Sequence, residues 1–219
     1  MSKYTTIAIF GLIAISAILY TYFFYFKIEE RLPIYQPSQI NPALVDPSLI
    51  AEKDHRISDF NLYNQLGDTV SLSDLEGKIL IVDFFFTRCA TICPILTSNL
   101  KLIHDRLPDG VHILSHSVTP VADSVSVLAA YAEKYHADPS KWWFLTGSKD
   151  EVYRLARTSY FACLDEGDGG YQDFIHTENV VLVDPSGRLR GFYDGTKEKE
   201  ISQLYLDLAT LKKELSKIN

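Results

Sequence analysis

The chain has 219 residues, 47% of them hydrophobic and 22% charged, which is the composition of a globular protein and excludes a collagenous or disordered chain. Its 21 basic and 28 acidic residues give a net charge of −7. Because nucleic acids are bound through clustered positive charge, this balance argues against a nucleic-acid partner. Three cysteines are too few for a small fold held together by disulfides, so each cysteine has to be interpreted by its position.

An uncharged apolar run occupies residues 4–26 and is long enough to cross a hydrocarbon core of about 30 Å as a helix. We therefore predict that residues 1–26 form a single transmembrane anchor. A cleavable signal peptide would have a shorter apolar segment ending in small residues, whereas this run ends in aromatic residues typical of a membrane interface. The short tail before Lys3 favours export of the rest of the chain, and the lack of an Arg-rich presequence favours a bacterial inner membrane with the soluble domain in the periplasm.

Prolines recur at intervals of four or five between the apolar run and the rest of the chain, at Pro33, Pro37, Pro42 and Pro47. Such spacing without a helical or strand period predicts an extended stalk over residues 27–54. The folded domain is then expected over residues 55–219, which is long enough to bury a core of its own.

Strand and helix patterns alternate through this domain. Segments 57–64 and 69–72 predict an N-terminal hairpin. The continuous apolar run 78–86 predicts a central strand buried on both faces, and 94–107 predicts a helix opened by Pro94. The remaining predicted elements are strand 111–118, helix 124–135, strand 142–145, helix 149–158, strand 179–184, strand 188–193 and helix 199–218. This order predicts an α/β fold with a central sheet flanked by helices, and its closing hairpin and helix are typical of thioredoxin-like folds.

A pair of cysteines, Cys89 and Cys93, lies where the predicted central strand passes into a helix. Backbone N–H groups and the helix dipole lower the pKa of a thiol at such a place, and thiolates serve both disulfide exchange and the binding of copper(I) or zinc. Position alone does not separate these chemistries. A purely structural disulfide is the remaining alternative, although structural bridges more often close long loops.

Several segments resemble the Sco/SenC family, and the resemblance covers residues 57–218. The segments are the strand 78–86, Cys-x-x-x-Cys-Pro at 89–94, Ser-Val-Thr-Pro at 117–120 with 122–124 and 127–131, and Asp-Phe-Ile-His-Thr at 173–177 before 180–187. Thr119 stands where the family usually has an aspartate.

The resemblance implies a thioredoxin-like, membrane-anchored copper chaperone that assists assembly of the copper centre of cytochrome c oxidase. Cys89, Cys93 and His176 would bind one copper ion, as Cu(I) or Cu(II). The implied partners are the copper-accepting oxidase subunit and another copper chaperone or a thiol reductant. Two thiolates with a neutral imidazole suit copper chemically.

Two alternative functions use the same residues. A general thiol–disulfide oxidoreductase of the thioredoxin type would use Cys89 and Cys93 as its redox pair, with Asp83, if buried, accepting a proton. The three-residue spacer and the lack of a proline between 139 and 185 argue against that enzyme, because thioredoxins place a cis-proline beside their active cysteines. The resemblance implies that His176 occupies the corresponding place. A redox-inactive assembly or binding module is the second alternative, and it predicts neither metal binding nor exchange.

Cys163 is interpreted as a small buried hydrophobe, with a regulatory or intermolecular thiol as the alternative. His112 and His116 share a face of the predicted strand 111–118, but four strand residues separate them by about 13 Å. One metal ion cannot bridge that distance, so we do not expect these two histidines to form a metal site.

Overall fold

The N-terminal helix forms a unit of its own. The computed structural model describes residues 3–26, 31–163 and 177–217, and it divides into one unit ending at Arg31 and a second beginning at Leu32. Helix α1 (Lys3–Phe26) has 24 residues. At about 1.5 Å per residue it is about 36 Å long, which exceeds the thickness of a hydrocarbon core. By length and composition α1 is therefore a candidate membrane span, as predicted.

The second unit is built on a five-stranded mixed sheet. A short antiparallel hairpin, β1 (Asn61–Tyr63) and β2 (Thr69–Ser71), precedes this sheet in the chain and confirms the predicted hairpin. The sheet strands are β3 (Ile79–Phe85), β4 (Val111–Ser117), β5 (Trp142–Leu145), β6 (Asn179–Val183) and β7 (Leu189–Asp194). Their order is β5-β4-β3-β6-β7, with β3, β4 and β5 parallel and β6 and β7 antiparallel to their neighbours. The run of apolar residues in β3 thus forms the central strand, and every residue of β3 is buried.

Helices cover both faces of the sheet. They are α2 (Ile92–His104), α3 (Val125–Lys134), α4 (Lys149–Arg154) and α5 (Glu198–Leu215). Apolar residues of α2, α3 and α5 pack together on one face, and α4, the hairpin and the segment before it pack on the other. The predicted helix 149–158 is shorter than expected, because its second half is a π-helical turn over Leu155–Ser159.

The segment from Leu32 to Asp54 differs from the stalk that the prolines predicted. It contains three short 3-10 turns, Pro37–Gln39, Pro42–Leu44 and Pro47–Leu49, each beginning at a proline. Proline suits the first position of a turn because its φ is already near the required value and its missing N–H would be unpaired there. Ile40 and Val45 are buried in the same apolar core as residues of α4 and the hairpin. The prolines therefore shape a segment that packs onto the folded unit.

Candidate metal centre

The cysteine pair lies at the carboxyl end of β3, where the chain turns into α2. Helix α2 begins at Ile92, two residues earlier than predicted, so Cys93 and Pro94 are both in its first turn. The first four N–H groups of a helix have no partner within the helix, so Pro94 removes no helical hydrogen bond there. The early start also leaves the N–H of Cys93 directed at the preceding loop.

The two thiols are free and close to each other. The backbone N–H of Cys93 donates to Sγ of Cys89 at 3.4 Å, and the hydroxyl of Thr91 lies 3.7 Å from the same sulfur. Cys89 is partly exposed, whereas Cys93 is only 4% exposed. One thiol of the pair is therefore open to solvent or to a partner, and the other lies behind it.

The two thiols have different pKa values because their surroundings differ. Burial raises the pKa of Cys89, but hydrogen bonds from the backbone N–H groups of Cys93 and Thr91 outweigh that effect and bring the pKa to about 7. Burial raises the pKa of Cys93 to about 12, and the negative charges of Cys89 and Asp83 act in the same direction. At neutral pH Cys89 is partly thiolate, and Cys93 keeps its proton.

Asp83 is buried within β3, as the possible proton acceptor would have to be. It is 1% exposed, and its carboxylate accepts a hydrogen bond from Ser115 on β4. Ser115 in turn accepts one from the indole N–H of Trp142 at 2.9 Å. Burial raises the pKa of Asp83 to about 7, although the hydrogen bond from Ser115 opposes the shift. This carboxyl group can therefore take up or release a proton near neutral pH, and its effect on the pKa of Cys93 places it within electrostatic range of that thiol.

A second buried aspartate, Asp123, supports the loop that carries Cys89. It accepts hydrogen bonds from Thr87, before Cys89, from Ser117, at the end of β4, and from Thr119, after β4. Thr119, at the usual aspartate position of the family motif, thus serves as a donor to another carboxylate. Asp123 is not among the site residues that the sequence predicts, although it lies in segment 122–124, which resembles the family.

The other residues considered in the sequence analysis are His176, Cys163, His112 and His116. His176 lies outside the residues that the structure describes. Cys163 is 5% exposed within the apolar core, as predicted. His112 and His116 are buried against aromatic rings. Within the described ranges, no group of three His, Cys, Asp or Glu side chains is arranged to hold a metal ion.

Comparison with known proteins identifies relatives along the soluble part of the chain. The SCO1/SenC family model matches residues 50–212. The SCO1 protein homolog of Bacillus subtilis is 32% identical over 158 residues, which cover 70% of this chain and 81% of that protein.

Solved structures give the same result. BsSco, described as a member of the Sco family of cytochrome c oxidase assembly proteins, superposes with a TM-score of 0.59 and 32% identity, covering 72% of this chain and 95% of that one. Copper-bound ScoI of Arabidopsis thaliana superposes with a TM-score of 0.56 and 26% identity, covering 72% and 98%. The predicted thioredoxin-like fold is thereby confirmed, and with the family match over most of its length the chain belongs to the SCO1/SenC family.

Proposed function

We propose that this protein binds one copper ion and delivers it to the copper centre of cytochrome c oxidase during assembly of the enzyme. The observation that carries the proposal is the free dithiol at the start of α2, with one thiol partly exposed and partly ionised at neutral pH. Among the relatives, ScoI of Arabidopsis thaliana has been solved with copper bound, and BsSco belongs to a family of oxidase assembly proteins.

The donor set suits copper. Two sulfur ligands favour a soft ion such as Cu(I), and the ligands have to be deprotonated to bind it. Cys89 is already partly ionised at pH 7, and copper would displace the proton of Cys93. We assign His176 as the third ligand, because a neutral imidazole completes a three-coordinate site without adding charge.

The proposed location is a bacterial inner membrane, with α1 as the single span and the soluble unit in the periplasm. An apolar helix of 24 residues supports the anchor. The proposed partners are the copper-accepting oxidase subunit and a copper donor or thiol reductant.

Copper stoichiometry of the reduced full-length protein in detergent tests the proposal. We expect one copper per chain, and we expect Cys89→Ser, Cys93→Ser and His176→Ala each to weaken binding at least about tenfold. Cys163→Ser is the matched control, because this thiol lies in the apolar core, and it should bind copper normally. Full copper content in the Cys89→Ser, Cys93→Ser double variant would refute the proposal, and full affinity in His176→Ala would remove that residue from the ligand set.

The buried carboxyl group of Asp83 supports a second candidate function, thiol–disulfide exchange. In this reaction the Cys89 thiolate attacks a disulfide of a partner and forms a mixed disulfide, releasing one partner thiolate that takes up a proton. Cys93 then loses its proton to the Asp83 carboxylate and displaces the second partner thiolate, so the partner is reduced by two electrons and Cys89 and Cys93 become a disulfide.

Two assays on the wild type and on Asp83→Asn separate the functions, namely the rate of disulfide reduction and the copper affinity. For a copper chaperone we expect slow exchange in the wild type and little effect of the substitution on either quantity. Rapid exchange that collapses in Asp83→Asn would favour the oxidoreductase. A redox-inactive assembly module would show neither exchange nor copper binding.

A further inference from the structure

A groove opens at the carboxyl ends of β3 and β4, where the chain leads from β3 toward the cysteine pair. Its volume is about 310 Å³, at the lower end of the range for ligand pockets, about 300 to 1,000 Å³. That size suits one or two side chains of a peptide. The residues that line this groove, called here the loop groove, are Phe86, Arg88, Val118, Thr119, Pro120, Val121, Ala122 and Lys149.

Among the residues that the structure describes, the lining of the loop groove is apolar apart from Thr119 and two cations. Phe86 and the residues at 118 and 120–122 supply the apolar walls, and Arg88 and Lys149 supply the positive charge. None of the described lining residues is acidic, although the chain as a whole carries a charge of −7. The ammonium group of Lys149 lies 4.9 Å from the centre of the Tyr153 ring, a contact that favours a defined position for it. The groove therefore favours an occupant that is apolar and carries a negative charge.

Val121 presents an apolar side chain to solvent at this groove. It is 79% exposed, more than any other large apolar side chain among the described residues of the second unit. With the apolar walls of the groove, this side chain forms a contiguous apolar surface, and such patches mark interaction sites.

The turn that carries Val121 is fixed before any partner arrives. The N–H groups of Ala122 and Asp123 both donate to the carbonyl of Thr119 at 2.9 Å, and the side chain of Asp123 holds Thr119 from within. A preorganised surface loses little conformational entropy on binding. The hydrogen bonds of the turn thus hold Val121 in its exposed position.

The loop groove lies close to the partly exposed thiol along the chain. Arg88, one of its two cations, directly precedes Cys89, so a partner held in the groove contacts the residue next to that cysteine. We infer that the loop groove docks the copper-accepting protein, through an apolar side chain packed against Val121 and an Asp or Glu side chain paired with Arg88 and Lys149. This inference rests on the proposed function and specifies how the acceptor is recognised.

The test measures binding of the purified soluble copper-accepting domain of the oxidase subunit to the full-length protein in detergent. We expect Val121→Asp and Lys149→Glu each to raise the Kd at least about tenfold, since both place negative charge where the groove favours an acidic, apolar occupant. The Kd of the wild type should also rise with salt, and this dependence should be smaller in Lys149→Glu. Matched controls are Leu206→Asp and Lys213→Glu, which make the same changes at exposed positions on α5 and should leave the Kd unchanged.

Copper affinity measured on the same variants separates this inference from the proposed function. We expect it to stay within twofold of the wild type in all of them. Equal binding of the acceptor domain to the wild type and to Val121→Asp would overturn the docking site, as would a wild type that does not bind the domain. An unchanged Kd in Lys149→Glu would overturn the pairing with an acidic side chain. Absence of copper binding in the wild type would refute the proposed function, while the Kd values would still decide the docking site.

Discussion

Asp123 accepts a hydrogen bond from the backbone N–H of Thr87 at 3.1 Å, and this contact joins the end of β3 to the start of α3. Thr87 also donates its hydroxyl hydrogen to the same carboxylate. From the other side, Ser117 and Thr119 donate at 2.6 and 3.0 Å. Asp123 has no exposed surface, so water cannot replace these contacts. The loop that carries Cys89 is therefore held from inside the protein by one carboxylate.

Asp123→Ala should lower the free energy of unfolding by about 3 kcal/mol, because it removes a charged acceptor and leaves several donors without a partner. Urea unfolding of the full chain in detergent, followed by tryptophan fluorescence, measures this loss, since Trp142 is fully buried. The N–H of Thr87 should also exchange with solvent faster.

Glu133→Ala is the control, since Glu133 is an exposed acidic residue on α3, and it should change the free energy by less than about 0.5 kcal/mol. Equal stability of Asp123→Ala and Glu133→Ala would mean that the carboxylate of Asp123 does not hold the loop.

The fold was largely predictable because its strongest signals are local. The unbroken apolar run at 78–86 predicted the central strand, and seven of its residues form β3. Apolar residues at helical spacing predict α2, but the preference of proline for the first helical turn places its start at Pro94, two residues late. The segment before residue 55 was predicted as a stalk, since its packing depends on contacts with residues far along the chain.

The candidate site was predictable only in part, because several of its contacts join residues that are far apart in the chain. The cysteine pair is visible as a motif, and the burial of Asp83 follows from its place in an apolar strand. The acidities of the two thiols depend instead on the Cys93 N–H that the early helix start directs at Cys89. The role of Asp123 arises from four donors on segments that meet only in the folded protein.

The alkylation rate of Cys89 should follow a pKa near 7. Iodoacetamide reacts with the thiolate, so the rate should rise with pH through a midpoint near 7, against about 8.5 for an ordinary cysteine. Mass spectrometry of the metal-free reduced protein should show Cys89 modified first and Cys93 protected, because Cys93 is buried and its pKa is about 12.

Cys93→Ser provides the control for this profile. It keeps the backbone N–H at that position and supplies a hydroxyl donor, so the midpoint should stay near 7. A midpoint near 8.5 in both proteins would show that the hydrogen bonds to Cys89 do not stabilise its thiolate.

Asp83 should make the protein less stable as the pH rises. Its pKa is about 7 in the folded state and 3.8 for an unperturbed side chain, so between these values the folded protein holds a proton that the unfolded chain has lost. Stability then falls by at most about 1.4 kcal/mol per pH unit, or up to about 3 kcal/mol between pH 5 and 7, and the decrease ends above pH 7. Asp83→Asn should remove this component, since the amide does not titrate.

Urea unfolding of both proteins at pH 5, 6, 7 and 8 checks this expectation. The difference in stability between Asp83→Asn and the wild type should grow in favour of the variant up to about pH 7 and then remain constant. A difference independent of pH would mean that the carboxyl of Asp83 ionises normally.

Arg190 connects the segment that begins at Leu32 to the core of the second unit. Its guanidinium group is 3% exposed and pairs with Asp184 at 3.0 Å and with Glu214 at 2.7 Å. It also donates to the backbone carbonyls of Leu32 and Pro33, at 2.8 and 3.0 Å. One buried cation on β7 thus joins α5 to the first residues of the unit.

Arg190→Met should therefore lower the free energy of unfolding by about 3 to 5 kcal/mol, because it leaves the buried carboxylate of Asp184 and the partly buried one of Glu214 without their cation. It should also release the segment that begins at Leu32, since two of its carbonyls lose their donor. Urea unfolding measures the first effect, and the rate of trypsin cleavage after Arg31 measures the second. Arg106→Met is the matched control, because Arg106 is exposed at the end of α2 and should affect neither quantity. If Arg190→Met and Arg106→Met unfold at the same urea concentration and are cleaved after Arg31 at the same rate, Arg190 does not hold this segment against the sheet.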